Sequence, residues 1–335
     1  MPEYTYKEIL NNLKKKIYSP VYLLSGEESY FIDKISDFIE ENVLTEEEKA
    51  FNLSILYGNE TDVNSITAIA RRFPMASSHN VVIVKEAQSL KKIEDLKSYF
   101  DDPLESTLLV INYKHKKLDK RKGFVKTAKQ KWVFFESPHI YENKIPGWIK
   151  EYLAEKQHTI SPKAAFLLVE YLGTDLEKIA NELDKLIINL KEGEEITDKL
   201  IEEYIGISKD YNVFELQNAL GQKDVIKANR IINYFAANPK EAPLVRNVFL
   251  LYLYFSKLLI YKQLKDKSAR NVASSLKIHP FFVKDYVQAA NRYSSGKLID
   301  IISLLREYDL KAKGVNNLNA PEGELYKELI FKILH

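Results

Sequence analysis

The hydrophobic and polar positions divide the chain into two halves of different character. Up to about residue 140, short and nearly all-apolar runs alternate with segments of helical periodicity, a pattern typical of a parallel sheet covered by helices on both faces. After Pro146 the strand signals stop and helical periodicity continues, broken at glycines and prolines. The predicted fold class is therefore α/β followed by all-α. The predicted strands are Val21 to Leu24, Leu53 to Tyr57, Val81 to Val84, Leu108 to Ile111 and Trp132 to Phe135.

The helical half is predicted to divide again after a turn that begins at Ile207. The first part holds three or four helices, among them Asp175 to Leu190, and the second part carries longer ones. The segment Leu244 to Leu264 is apolar on nearly every face, which predicts a helix buried on all sides, either within its own bundle or against a neighbouring subunit. The predicted domains are 1–140, 141–207 and 208–335.

Composition narrows the classes of function. The chain has 49 basic and 47 acidic residues, so a nucleic-acid partner would have to be recognised by local clusters of Lys and Arg. It contains no cysteine, which excludes disulfides, thiolate zinc sites and Cys nucleophiles, and agrees with a cytoplasmic location. The first residues do not form a secretory signal, and the longest apolar run is too short to cross a bilayer. We therefore expect no membrane association.

The loop after the first predicted strand lies where a mononucleotide-binding domain carries its phosphate loop. A working loop requires G-x-x-x-x-G-K-[ST], because glycine amides cradle the phosphates and the lysine neutralises them. Here Gly26 is followed by Glu27 and Glu28, and no lysine follows. ATP binding is therefore disfavoured. On the simpler interpretation, Gly26 relieves a tight turn and the two glutamates favour the start of the next helix.

Other catalytic chemistry finds no support in the sequence. The third predicted strand ends in Lys85-Glu86-Ala87, which leaves a single carboxylate where a pair would hold magnesium. The six histidines show no metal-ligand spacing, and there is no nucleophile elbow. We expect no catalytic residue, no metal and no cofactor.

Short motifs occur in a specific order along nearly the whole chain. They are Val21 to Glu28 with Tyr30, Phe73 to Met75 leading into Val81 to Val84, Lys117 to Arg121, Gly173 to Ile179, Asn212 to Leu216, and Tyr308 to Lys311 with Lys313-Gly314. This order resembles the delta subunits of bacterial DNA polymerase III clamp loaders, which are AAA+ proteins. The resemblance implies a RecA-like domain with a degenerate phosphate loop, a helical lid and a helical collar. It also implies a DNA replication subunit that binds and opens the beta sliding clamp without hydrolysing ATP itself.

The resemblance implies partners as well. They are the beta sliding clamp, the ATP-hydrolysing gamma/tau subunits, the delta-prime subunit and, within the assembly, primer-template DNA. The sister subunits usually carry a four-cysteine zinc module and a Ser-Arg-Cys motif, which a chain without cysteine lacks. Two alternatives stay open: an ATP-hydrolysing clamp-loader or AAA+ subunit, and a freestanding DNA-binding protein.

In the family, an apolar wedge before the third strand inserts into a pocket of the clamp, and here the wedge falls on Phe73, Pro74 and Met75. The residues themselves suit such an anchor, because Arg71-Arg72 and Ser77 to Asn80 bracket the apolar cluster with polar side chains. Family members often have Leu-Phe or a similar pair where this chain has Pro74-Met75. The alternative is that Phe73 and Met75 cap the core of their own domain.

Residues 114–131 form the densest basic segment, with nine Lys and Arg residues against the single acid Asp119. Lys117, Lys120 and Arg121 are the candidate contacts to the DNA backbone, since Lys120 and Arg121 lie near the predicted start of a helix, where amides and cations together favour phosphate. The alternative is a solvated, lysine-rich helix face.

Overall fold

The computed structural model describes residues 4–205, 211–240, 242–315 and 320–335. The chain folds into two compact units, Met1–Ile140 and Tyr141–His335.

The first unit is built on a parallel sheet. Within residues 4–140, five strands pair side by side in the order β2-β3-β4-β1-β5, and every pairing is parallel. All five predicted strands are present, although Trp132 lies just before the last one. Since β1 lies between β4 and β5, the loop after β1 opens at the sheet edge where α/β domains bind ligands. The strands are β1 (Val21–Gly26), β2 (Leu53–Tyr57), β3 (Asn80–Lys85), β4 (Thr107–Lys114) and β5 (Val133–Ser137).

Helices cover both faces of this sheet, because successive side chains of a strand point to opposite faces. Tyr22 and Leu24 belong to the apolar core beneath α1 and α2, whereas Leu23 packs on the other face with Phe124 and the residues of α4 to α6. Thr45 caps α3 in a reciprocal capping box with Glu48. The helices of this unit are α1 (Tyr6–Lys14), α2 (Ser29–Asn42), α3 (Glu46–Asn52), α4 (Val63–Ala70), α5 (Lys97–Asp101) and α6 (Gly123–Lys131).

The second unit is mainly helical. It also contains two strands of two residues each, β6 (Thr159–Ile160) and β7 (Glu195–Ile196), which pair in parallel and which no sequence pattern predicts. Within the described part of 141–207, at 141–205, there are four α-helices where the sequence predicts three or four. The helices described are α7 (Ile145–Glu155), α8 (Pro162–Leu172), α9 (Leu176–Ile187), α10 (Asp198–Ile205), α11 (Val213–Gln222), α12 (Val225–Ala237), α13 (Leu244–Gln263), α14 (Ala269–Leu276), α15 (Val283–Arg292), α16 (Ser295–Ala312) and α17 (Glu322–Leu334).

The predicted boundary between residues 207 and 208, including the turn at Ile207, lies outside the described residues. Side chains from both sides of it nevertheless interact. Lys163 of α8 pairs with Asp198 of α10 at 3.1 Å and with Glu215 of α11 at 3.1 Å. Glu215 also pairs with Lys227 of α12. The split of this half into two domains therefore stays a prediction.

The central helix α13 differs from its prediction. Leu251, Phe255 and Leu258 are buried in the core of the second unit, but the opposite face is exposed. Burial on all sides within its own bundle is therefore wrong, because hydrophobicity around a helix does not reveal how many faces have neighbours in the same chain. Burial of the exposed face against a neighbouring subunit stays a prediction. The helix is long and apolar enough to pass a compositional test for a membrane span, and it is the one described helix that does. Its exposed apolar residues are Val245, Phe249, Tyr252 and Ile260.

Candidate functional site

The segment after α4 carries an exposed apolar tip, made of Phe73, Pro74 and Met75. Phe73 is 78% exposed and Met75 is 63% exposed, while Pro74 is partly buried. The two large side chains therefore do not cap the core of their own unit. The structure places both on the surface, where a partner can reach them.

Hydrogen bonds hold the backbone in place where the tip begins. The carbonyl of Ala70, the last residue of α4, accepts hydrogen bonds from the Thr107 hydroxyl at 2.8 Å and the Tyr99 hydroxyl at 3.3 Å. The Arg71 guanidinium lies 5.6 Å from the centre of the Tyr99 ring. On the other side of the tip, Ala76 adopts a φ of 52°, a left-handed conformation that turns the chain back towards β3. The tip is thus anchored at its start and turned sharply at its end.

Helix α3 contributes two residues to this region that no sequence pattern singles out. Asn52, at its C-terminal end, is only 2% exposed and hydrogen-bonds the backbone of Met75. Phe51 precedes it and is 71% exposed. An exposed Phe in the otherwise polar helix Glu46–Asn52 is the signal that could have drawn attention to this helix.

The loop after β1 is closed by contacts within the chain. Gly26 has a φ of 145°, and a Cβ at this position would lie 2.1 Å from the carbonyl oxygen of Ser137, so only glycine fits. The Glu27 amide donates to that same carbonyl at 3.1 Å. The Glu28 carboxylate caps α2 by accepting from the Tyr30 amide at 3.1 Å. Two of the amides that could face a phosphate, those of Glu27 and Tyr30, are therefore already engaged.

A lysine lies beside this loop, but carboxylates surround it. Lys114, the last residue of β4, pairs with Gly26 across the sheet. Its side chain is 13% exposed, and its ammonium lies 2.6 Å from the carboxylate of Asp33 and 3.2 Å from that of Glu86. Glu86, the single carboxylate after β3, also accepts a hydrogen bond from the side-chain Nε2 of Gln88. These side chains form a compact ion cluster at the carboxyl edge of the sheet.

The cluster shifts the pKa values of its members. Burial alone would lower the pKa of Lys114, but hydrogen bonds and charge from Asp33, followed by those from Glu86, outweigh it and raise that pKa. Burial alone would raise the pKa of Glu86, but hydrogen bonds from Gln88 and Lys114 outweigh it and lower that pKa. Lys114 and Glu86 are therefore both held in their charged forms.

The three predicted DNA-contact residues lie near the start of α6, close to the same sheet edge. Lys117 pairs with Glu27 at 3.3 Å and Lys120 with Glu136 at 2.7 Å. Arg121 forms a two-pronged pair with Asp119, with Nε–Oδ1 at 3.0 Å and Nη2–Oδ2 at 2.9 Å.

Each of these three cations is thus engaged within the chain. Hydrogen bonds from the Arg121 side chain, followed by its amide, lower the pKa of Asp119 to about 2. Exposed pairs of this kind contribute little to stability because solvent screens the charges, so a phosphate can displace the carboxylates. Within the described ranges, no group of three or more His, Cys, Asp or Glu side chains is arranged to hold a metal ion.

The sheet order, the helices on both faces and the helical second unit define the chain as a protein with a RecA-like α/β domain followed by helices. Comparison with known proteins narrows this class to one family. Residues 22–137 match the family described as DNA polymerase III, delta subunit, and residues 210–326 match the C-terminal domain of the same subunit. The chain is 29% identical over 318 residues to DNA polymerase III subunit delta of Bacillus subtilis (strain 168), covering 91% of each chain.

A solved structure agrees with this. The Bacillus subtilis DNA clamp loader delta protein superimposes with a TM-score of 0.59 at 25% identity, over 98% of this chain and 99% of that one. The chain belongs to the DNA polymerase III delta subunit family, and it is a clamp-loader component of the replication machinery.

Proposed function

We propose that this subunit binds the beta sliding clamp through the tip formed by Phe73, Pro74 and Met75, and opens the clamp for loading onto primed DNA. The observation that carries the proposal is the exposure of Phe73 and Met75 at an anchored turn. Full burial of a Phe or Met side chain is worth about 1.5–3 kcal/mol. Two such side chains at the centre of an interface can supply most of its binding energy.

The experiment that tests the proposal is a calorimetric titration of the full chain with the sliding clamp of the same organism. We expect saturable binding of one clamp surface, with a negative heat-capacity change because apolar area is buried. Absence of binding would contradict the proposal.

We propose further that the subunit does not bind ATP. Three features support this: the Glu28 carboxylate occupies the start of α2, the Glu27 amide is bound to Ser137, and Lys114 is neutralised by Asp33 and Glu86. A triphosphate would meet two carboxylates in the loop and would have to break these contacts. On this proposal, ATP turnover in neighbouring gamma/tau subunits powers clamp opening.

Equilibrium dialysis of the full chain against ATP and Mg²⁺ is expected to show no retained nucleotide. The physical reason is that the loop offers no lysine to the phosphates, and that the amides of Glu27 and Tyr30 are already bonded. The loader ATPase subunit of the same organism, dialysed in parallel, is the positive control. Stoichiometric retention by this chain would instead favour the alternative of an ATP-hydrolysing subunit.

We propose that Lys117, Lys120 and Arg121 contact the backbone of primer-template DNA inside the assembled loader. The proposal is supported by the exposure of all three side chains just before the start of α6. Such contacts would carry no sequence information. Because each cation is paired within the chain, we expect weak binding by the isolated subunit, unlike a freestanding DNA-binding protein.

The double replacement Lys120→Glu and Arg121→Glu is expected to weaken primer-template binding by the assembled loader. It should also reduce the dependence of log affinity on log salt by roughly one for each phosphate that the variant no longer neutralises. Filter binding at several salt concentrations measures both effects. The matched control is Lys15→Glu with Lys16→Glu, two exposed lysines whose reversal changes the net charge equally. If the two double variants weaken binding equally, the effect is one of general charge, and the proposed DNA contact is wrong.

The division into lid (141–207) and collar (208–335) is also part of this proposal. The exposed apolar face of α13 suits a collar that packs beside the collars of gamma/tau and delta-prime subunits. A cytoplasmic location follows from the proposed role in replication.

A further inference from the structure

The side-chain amide of Asn52 forms two hydrogen bonds with the backbone of Met75, in the way that neighbouring β-strands pair. Its Oδ1 accepts from the Met75 amide at 2.6 Å and its Nδ2 donates to the Met75 carbonyl at 2.9 Å. The same Nδ2 donates to the Glu48 carbonyl within α3 at 3.0 Å, so the amide is itself fixed by its helix. Both backbone groups of one tip residue are thus held by one buried side chain.

This arrangement has a consequence for recognition. Fixing the backbone of a residue costs conformational entropy. A tip that is ordered before the partner arrives does not lose that entropy on binding, so its affinity is higher. Because the side chains of Phe73 and Met75 are themselves exposed to solvent, the backbone bonds to Asn52 are well placed to provide this order.

We propose that Asn52 is a positioning residue for clamp recognition, which fixes the Met75 backbone so that Phe73 and Met75 are presented in their binding geometry in the free subunit. This inference rests on the proposed clamp-binding function of the tip. Asn52 acts through Met75 and does not itself reach the clamp, because it is buried beneath the tip.

The test is a titration of four full-length proteins with the clamp: the parent, Asn52→Ala, the tipless double variant Phe73→Ala with Met75→Ala, and the triple variant. We expect Asn52→Ala to weaken binding about tenfold, because the tip must then be ordered on binding. In the tipless background the same replacement should have no further effect. A merely structural role would produce equal losses of affinity in both backgrounds.

A second variant and a second measurement keep the test informative if Asn52→Ala folds poorly. Asn52→Asp keeps the acceptor for the Met75 amide and gives up the donations to Met75 and Glu48, so we expect weaker clamp binding with the Met75 amide still protected from hydrogen exchange. In Asn52→Ala that amide should exchange faster.

The control is Asn112→Ala. It removes a fully buried side-chain amide of the same unit that donates to Ser36 and does not touch the tip. This replacement should leave clamp affinity unchanged.

The outcomes separate the two proposals. If Asn52→Ala and Asn52→Asp bind like the parent while the tipless variant does not, the positioning role is wrong and the tip remains the binding element. If the tipless variant binds like the parent, the proposed function is wrong, and the role of Asn52 is wrong with it.

Discussion

Replacing Phe73 and Met75 together with alanine is expected to weaken clamp binding by at least about 2 kcal/mol, close to a thirtyfold rise in Kd. The reason is the loss of two apolar anchors that are solvated in the free subunit and would be buried in the complex. Because both side chains are exposed, the free energy of unfolding should change little. Calorimetric titration measures the affinity, and chemical denaturation measures the stability.

Phe331→Ala is the matched control for this variant. Phe331 is 63% exposed, like Met75, but belongs to the second compact unit. Its replacement removes an exposed apolar side chain without changing the tip, so clamp affinity should stay at the parent value. An unchanged affinity in the double variant would refute the assignment of the tip, and an equal loss of affinity in Phe331→Ala would show that exposed apolar area in general is responsible.

Replacing Lys114 with methionine is expected to lower the free energy of unfolding by about 2 kcal/mol at neutral pH. Removing one partner of a fully buried pair costs about 3–5 kcal/mol, and the partial exposure of the Asp33 and Glu86 carboxylates reduces that figure. Urea denaturation measures the difference. Lys122→Met is the control, because the ammonium of Lys122 lies 3.7 Å from the exposed carboxylate of Glu94 and its removal should cost less than about 1 kcal/mol.

The pH dependence of this difference identifies its cause. The pKa of Glu86 is lowered from 4.5, so its contribution is present above pH 4.5 and is lost as the pH falls through the lowered pKa. The pKa of Lys114 is raised from 10.5, so its contribution is complete below pH 10.5 and is lost as the pH rises through the raised pKa. The stability difference between parent and Lys114→Met should therefore shrink in acid. A difference that stays constant as the pH falls through the lowered pKa of Glu86 would point to poorer packing of the side chain at position 114.

Much of the fold could be predicted because the first unit obeys simple rules. Strands covered on both faces are continuously apolar, and four of the five are buried in this way, so their positions stand out in the sequence. The strands β6 and β7 are too short to give a pattern. The exposed face of α13 could not be predicted because periodicity shows which residues are apolar, while burial also depends on what packs against each face.

The candidate sites, like the fold, could be predicted from the sequence only in part. The loop at Gly26 to Glu28 and the tip at Phe73 to Met75 are contiguous in sequence, so their residue types could be interpreted directly. The contacts that complete them are not contiguous. Asn52 and Met75 are far apart along the chain, as are Asp33 and Lys114, and no periodicity connects them. The pairing of the basic residues with Glu27 and Glu136 likewise depends on the order of the strands, which sets which loop ends meet.

The contacts around Gly26 also bear on what the loop would need in order to bind ATP, which we propose it does not do. Introducing a lysine after the loop would restore one missing charge, yet Glu28 would still occupy the first turn of α2 and Ser137 would still hold the Glu27 amide. Both contacts belong to the folded loop, so on our proposal a gain of nucleotide binding would require several simultaneous changes. A single substitution is then not enough to turn this loop into a phosphate site.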